Sequence, residues 1–209
     1  MFQWQYLLHE NCRFYYVETI LKNIAAFADA AHGDQRRKYA DERYVEHPIR
    51  VMKTCQQFGY PLPVLAAAIL HDVLEDTDVS QKQIREFLLS MMSETDTNHT
   101  LLLVTELTDV YTKDRYPRLN RQQRKAKEAD RLEKVSADAQ TIKYGDIIDN
   151  ASGIVEHGAD FAPVFLKEGA ELLKKMKKGN KDLHQKAMDV IENEMDQLRT
   201  HDLHSNKEQ

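Results

Sequence analysis

The sequence predicts an all-α protein, a single compact helical bundle, on three observations. Only 7 glycines and 5 prolines occur in 209 residues. Runs of β-branched residues are scarce. Apolar residues recur three and four positions apart, the period of a helix, rather than two. The length fits about one domain of ordinary size, with no internal repeat and no linker to divide it. Residues 1–200 are therefore expected to form one domain, followed by a frayed tail over 201–209.

In chain order, residues 13–32 carry Phe14, Val17, Ile20, Leu21, Ile24, Phe27 and Ala28 on one face and end near Gly33. Trp4, Tyr6 and Phe14–Tyr16 are expected to staple this helix to the core, with a dimer face as the other use of such aromatics. The polar stretch 34–46 has no helical stripe and reads as a loop. Pro48 suits the first turn of a second helix reaching Gly59, where its missing N–H costs no bond. Residues 62–75 (LPVLAAAILHDVLE) are apolar on nearly every side, which marks a central buried helix. Further helices are expected at 80–92, 98–110, 118–150, 162–178 and 181–200, the last two parted by Gly179-Asn180. Met91 and Met92 read as core filling.

The formal net charge of −5 argues against a nucleic-acid coat, which needs a basic domain. No apolar run is long enough to cross a membrane. The opening MFQWQYLLHENCRFYYVE lacks the basic-then-apolar pattern of a secretion signal. Cys12 and Cys55 are too far apart for a CxxC pair. A cytoplasmic protein is expected, with neither nucleic acid nor membrane as partner and with monomer or homo-oligomer both open. Within the acidic chain, residues 113–134 hold 9 Lys or Arg against 4 acids. Such a run is either a solvated helix face or a means of steering phosphates toward an acidic pocket.

The chemistry centres on four polar residues that interrupt the apolar helix: His71, Asp72, Glu75 and Asp76. On a continuous helix the pairs 71/75 and 72/76 share a side. Buried carboxylates need a partner, and three crowded beside an imidazole repel one another unless a cation holds them. An acidic helix end is the plain alternative. His47 precedes Pro48, a position biased to extended backbone, which would place its ring at the mouth of a helix. Asp146 and Asn150 lie four apart in the apolar stretch 142–151, with Lys143 as a structural ion-pair partner for Asp146. Taken together, two imidazoles and two carboxylates from three helices make a mixed nitrogen–oxygen site. That donor set suits Mn²⁺, Fe²⁺ or Zn²⁺ rather than Mg²⁺ or Ca²⁺.

His47, His71-Asp72 and Asp146 resemble the H…HD…D signature of the HD-domain metal phosphohydrolases. More narrowly, the chain resembles the hydrolase domain of RelA/SpoT-type proteins and the stand-alone small alarmone hydrolases. The matching stretches are AAHGDQRRKYADERYVEHPIRV (30–51), LAAAILHDVLEDT (65–77) and IKYGDIIDNAS (142–152), within a likeness that spans about residues 13–155.

The resemblance implies an HD-type helical bundle that hydrolyses the 3′-pyrophosphate of (p)ppGpp to GDP or GTP plus pyrophosphate. It implies a divalent metal, Mn²⁺ first with Fe²⁺, Co²⁺ or Zn²⁺ as alternatives, on His47, His71, Asp72 and Asp146. Glu75 and Asp76 fall on the pair that orients or deprotonates the attacking water. Arg37, Lys38, Tyr44 and Asn150 fall on substrate-contacting positions; Lys143 lies just before the ligand Asp146, and Arg36 adds charge for phosphate. Two departures touch the substrate grip. The loop before His47 reads YADERYVE without the usual Gly-Glu-Pro turn, and the connection to Asp146 is enlarged by YTKDRYPRLNRQQRK. Another nucleotide substrate (ppApp, NADPH or a nucleoside monophosphate) and a non-catalytic nucleotide-binding module are the competing readings. No synthetase, TGS or ACT-like region is expected. His9, His99, His157, His184, His201 and His204 read as surface residues, and His32 as an aid to the loop that follows it.

Overall fold

A computed structural model describes the backbone of residues 2–158 and 160–205, and the side chains of 15–158 and 160–200. Eleven helices make up the described chain. They are α1 (Phe2–His32), α2 (Glu46–Gln57), α3 (Leu62–Leu70), α4 (Val73–Asp76), α5 (Gln81–Leu89) and α6 (Glu94–Leu107), then α7 (Arg121–Leu132), α8 (Ala137–Ala151), α9 (Ile154–His157), α10 (Ala162–Lys175) and α11 (Lys181–Ser205). No strand occurs among the described residues; a single bridge joins Arg36 to Arg43 within the loop 34–45.

The all-α expectation holds, and its physical centre is α3. Every residue from Pro63 to Leu70 is buried, so this helix needs partners on all sides. It packs against α1, α2, α6 and α8. The second core helix, α8, packs against α2, α10 and α11. Tyr144 on α8 is fully buried and donates its hydroxyl to the carbonyl of Met176, 2.8 Å away. Met92 is buried and Met91 packs against the core, as expected.

Several boundaries differ from expectation, each for a local reason. The long helix expected over 118–150 is two helices. Ser136 caps α8 by accepting from the Ala139 N–H, while its own N–H and hydroxyl bond to Glu106. Gln140 turns back to donate to the carbonyls of Leu132 and Glu133 at the end of α7. The helix expected over 62–75 yields at His71-Asp72 to a turn and resumes as α4. Ser93 caps α6 by accepting from the Asp96 N–H, which starts that helix earlier than residue 98. Helix α1 begins at Phe2 rather than at 13, and α11 continues to Ser205 through most of the expected tail.

Among the expected staples, Tyr15 and Tyr16 are exposed at 69% and 58%, yet Tyr16 does tie α1 to the segment after α5 by donating its hydroxyl to the Met91 carbonyl at 3.0 Å; Trp4, Tyr6 and Phe14 lie outside the described side chains. His184 is not a surface residue: it bonds the Leu173 carbonyl and packs edge-on against Tyr144. His9, His201, His204 and Cys12 lie outside the described side chains.

Replacing Ser136 by Ala removes a helix cap and takes the hydroxyl donor from Glu106, which keeps the backbone N–H of residue 136. Urea denaturation is expected to show a loss of about 1–2 kcal/mol.

Candidate functional site

Three segments meet under the open end of α3. The first is the start of α2. His47 lies inside the helical turn rather than in the extended backbone expected before proline, because its N–H bonds the Tyr44 carbonyl and the chain has already begun to coil at Glu46. Its ring does face inward, and the residue is 1% exposed. The second is the turn joining α3 to α4, which carries His71 and Asp72. The third is the middle of α8, which carries Lys143, Asp146, Asp149 and Asn150.

The imidazole nitrogens are set by their outer partners. Nδ1–H of His47 donates to Oδ2 of Asp149 at 2.7 Å, and Nδ1–H of His71 donates to the Ala68 carbonyl at 2.8 Å. Each arrangement aims Nε2 into the site as the nitrogen that offers a lone pair once its proton is displaced. Nε2 of His47 lies 3.1 Å from Asp146 Oδ1 and 3.7 Å from Asp72 Oδ2. Nε2 of His71 lies 3.1 Å from Asp72 Oδ2 and 3.7 Å from Asp146 Oδ1, yet makes no hydrogen bond of proper geometry. An orphaned buried nitrogen facing two carboxylates is the signature of a cation seat. His47, His71 and Asp72 bring ligand atoms within 4.8 Å of one another, and Asp146 closes the fourth side. This donor set fits a divalent metal.

The electrostatics agree. Burial alone would lower the His71 pKa, but the Asp72 and Asp146 carboxylates outweigh it and push it up to about 10. Burial opposes protonation of His47 too, and Asp146 and Asp149 overcome it. Burial would raise Asp72 and Asp146, but His71 holds the first below the usual carboxylate range, and Lys143 with the two histidines holds the second well below it. Without a metal, then, protons balance the carboxylates.

Beyond the cluster opens a cavity of about 870 Å³, bordered by Tyr44, Asp72, Glu75, Asp76, Lys143, Asp146 and Asn150. It runs between α7 and α10 past Leu107, Ala129, Leu132, Ile147, Phe165 and Leu172, a volume that a nucleotide-sized ligand fills. Tyr44 donates to Asp72 Oδ2 at 2.7 Å, and Lys143 pairs with Asp146 Oδ2 at 2.7 Å. Asn150 donates to Asp146 Oδ1 and accepts from Arg37 at 2.9 Å. Arg37 thus lies against the site without bordering the cavity. Lys38 stands over the rings of Tyr39 and Phe161. Arg36 instead pairs with the exposed Asp41 of its own loop. Of the basic run 113–134, Arg121 and Lys125 border the cavity, paired with Glu168 and Asp109. Arg131 is drawn into the interior against Glu128.

Glu75 and Asp76 both border the cavity, but the break at His71-Asp72 gives Glu75 a partner no helical spacing could name. The Asp109 N–H donates to Glu75 Oε2 at 3.0 Å. Burial and the Asp109 carboxylate push the Glu75 pKa up to about 7. His32 is 7% exposed and stacks on Tyr44 with ring centres 4.4 Å apart, so it does support the loop.

Three residues escaped the sequence reading: Asp149, Arg50 and Asp109. The first two had a signal, since His47 and Arg50 on α2, and Asp146 and Asp149 on α8, are each three apart and share a face. Asp109 had none, because it comes from a loop that only the fold brings to α4.

Residues 25–144 match the family model described as HD domain. A guanosine-3′,5′-bis(diphosphate) 3′-pyrophosphohydrolase of Aquifex aeolicus is 42% identical over 60 residues, covering 29% of this chain and 8% of that one. The enzyme of that name called MESH1 in Drosophila melanogaster is 33% identical over 127 residues, covering 59% of this chain and 63% of that one. The chain thus spans less than two thirds of the length of these curated relatives. A solved structure, of a metazoan ortholog of SpoT described as hydrolysing ppGpp, superposes with a TM-score of 0.69 at 25% identity, covering 83% of this chain and 94% of that one.

Metal binding must displace protons from imidazoles that the carboxylates hold protonated. Calorimetric titration with Zn²⁺ or Mn²⁺ is therefore expected to show affinity rising with pH across the neutral range, with proton release visible as a buffer-dependent heat. His71→Ala is expected to abolish it.

Proposed function

The chain belongs to the HD-domain family, and on that premise we propose that it is a metal-dependent (p)ppGpp 3′-pyrophosphohydrolase, yielding GDP or GTP and pyrophosphate. The observation that carries the reading is the pair of imidazole Nε2 atoms facing two carboxylates at the floor of a nucleotide-sized cavity. The activity that the relatives are named for points to the substrate. The reaction is assigned to a single domain over residues 1–200.

His47, His71, Asp72 and Asp146 would hold the metal, with Mn²⁺ the first choice for two imidazoles and two carboxylates, ahead of Fe²⁺, Co²⁺ or Zn²⁺. When bound, the metal supplies Lewis acidity at phosphorus and a lowered pKa for water. The chain's own residues do the rest. Glu75, with its raised proton affinity, is suited to take the proton of the attacking water at neutral pH, and Asp76 lies beside it to orient that water. Lys143 offsets part of the negative charge of the cluster, whose field would otherwise repel a polyphosphate. Arg37 and Lys38, on the loop beside the cavity, would add positive charge for the phosphates, with Arg36 contributing more remotely from its pair with Asp41; Arg37 is braced on Asn150. Tyr44 holds Asp72 in place through its hydroxyl. No described helix is long and apolar enough to cross a membrane, and a cytoplasmic enzyme acting on a small nucleotide is the accompanying reading.

The deciding experiment offers ppGpp, ppApp, NADPH and GMP in parallel with Mn²⁺. GDP and pyrophosphate from ppGpp, lost in His71→Ala, are expected. Turnover of another nucleotide alone would reassign the substrate, and binding without turnover of any would reassign the protein to nucleotide binding.

Two predictions refine the roles. Glu75→Gln is expected to cut kcat by about 10²–10⁴-fold while Mn²⁺ binding survives. Because Glu75 must be ionised to accept a proton, kcat/KM of the metal-loaded enzyme is expected to fall on an acid limb lying below the metal-free Glu75 pKa of about 7, since the cation favours the carboxylate. Asp109→Asn removes the facing negative charge, so it is expected to move that limb to lower pH.

A further inference from the structure

Resting on that reading, we propose that Glu42 and Arg50 are positioning residues that join the metal seat to the phosphate-facing loop, so that one network sets both. The circuit begins at His47, whose Nδ1–H is held by Asp149. The Asp149 carboxylate is gripped in turn by Arg50, from Nε at 2.5 Å and Nη2 at 3.1 Å. The same guanidinium donates from Nη1 and Nη2 to the two oxygens of Glu42, at 2.9 and 2.6 Å.

Glu42 belongs to the loop 34–45, and its backbone carbonyl accepts the N–H of Arg37 at 3.1 Å. The Arg37 side chain reaches Asn150, and Asn150 donates to Asp146. The chain of contacts therefore leaves the cluster at one ligand, crosses the loop, and returns at another.

The physical case rests on the fork. A guanidinium between two carboxylates is fixed in plane by paired hydrogen bonds, which an ammonium cannot reproduce. Remove Glu42 and Arg50 keeps Asp149 but loses the bond that stops it swinging. Asp149 then holds the His47 ring less firmly, and Nε2 is no longer aimed at one point. The same loss frees the loop from α2, so Arg37 is presented less well. Glu42 reaches the cluster only through Arg50 and Arg37. An effect of Glu42 on metal affinity must therefore travel along this network. It also gives the loop 34–45, which lacks the Gly-Glu-Pro turn, a fixed attachment.

The test is calorimetric titration of the full chain with Mn²⁺ alone, in the parent protein, Glu42→Gln and Arg50→Lys. Each variant is expected to lose about tenfold in Mn²⁺ affinity with helical circular dichroism unchanged, and to raise the KM for ppGpp by more than it lowers kcat. Adding Glu42→Gln to Asp149→Asn is expected to cost less than the sum of the separate losses, since both act through one ring.

A folded Glu42→Gln protein with parental Mn²⁺ affinity would overturn the proposal, as would full additivity. If Glu42→Gln does not fold, Arg50→Lys decides by the same measure. A parent that binds no Mn²⁺ overturns both this and the hydrolase reading. Absence of ppGpp hydrolysis, with Mn²⁺ affinity still falling in the variants, removes the substrate and leaves the coupling.

Discussion

Two buried imidazole nitrogens and two buried carboxylates share one small volume, and the need to balance their charge organises the structure around them. None of the four groups is stable there alone, since desolvating an ion costs several kcal/mol unless a counter-charge is at hand. Each is therefore held from behind. Asp149 orients His47, the Ala68 carbonyl orients His71, Tyr44 donates to Asp72, and Lys143 with Asn150 secures Asp146. The outer partners come from α3, α8 and the loop 34–45, and His47 itself from α2, so the site is assembled only when the whole bundle closes.

That dependence explains the placement of the apolar helix. Helix α3 is buried along its length, so it has little freedom to shift, and the turn at its end inherits that rigidity. His71 and Asp72 leave the helix there and point into the cluster, while α4 carries Glu75 and Asp76 to the cavity wall. A metal seat needs donors fixed to within a few tenths of an ångström. Mounting them on the core helices and the turn that ends one of them supplies this. Arg37 and Lys38, by contrast, sit on the loop 34–45, which Glu42 ties to Arg50 on α2.

Two neighbouring carboxylates illustrate how environment sets proton affinity. Asp72 and Glu75 are three residues apart, the first half-buried and the second exposed at the cavity wall. Asp72 faces a histidine and stays ionised, whereas Glu75 faces another carboxylate and gains proton affinity. One is suited to hold a cation and the other to exchange a proton, although the residue type is nearly the same.

The helical class, the buried character of residues 63–70 within the expected 62–75 helix, and the four cluster residues were legible in the chain itself. Helical spacing and the rarity of buried charge are local properties of a sequence, and the motif stretches around His47, His71-Asp72 and Asp146 carry the resemblance. The break of the expected 118–150 helix at Ser136 is fixed by Glu106, thirty residues away in sequence. The fold likewise sets Asp109 beside Glu75, Arg50 between Asp149 and Glu42, and the withdrawal of Arg131 and Arg36 from the cavity. Composition specifies which charges the chain carries. Only the packed bundle decides which of them meet, because a charge finds its partner through space and not along the chain.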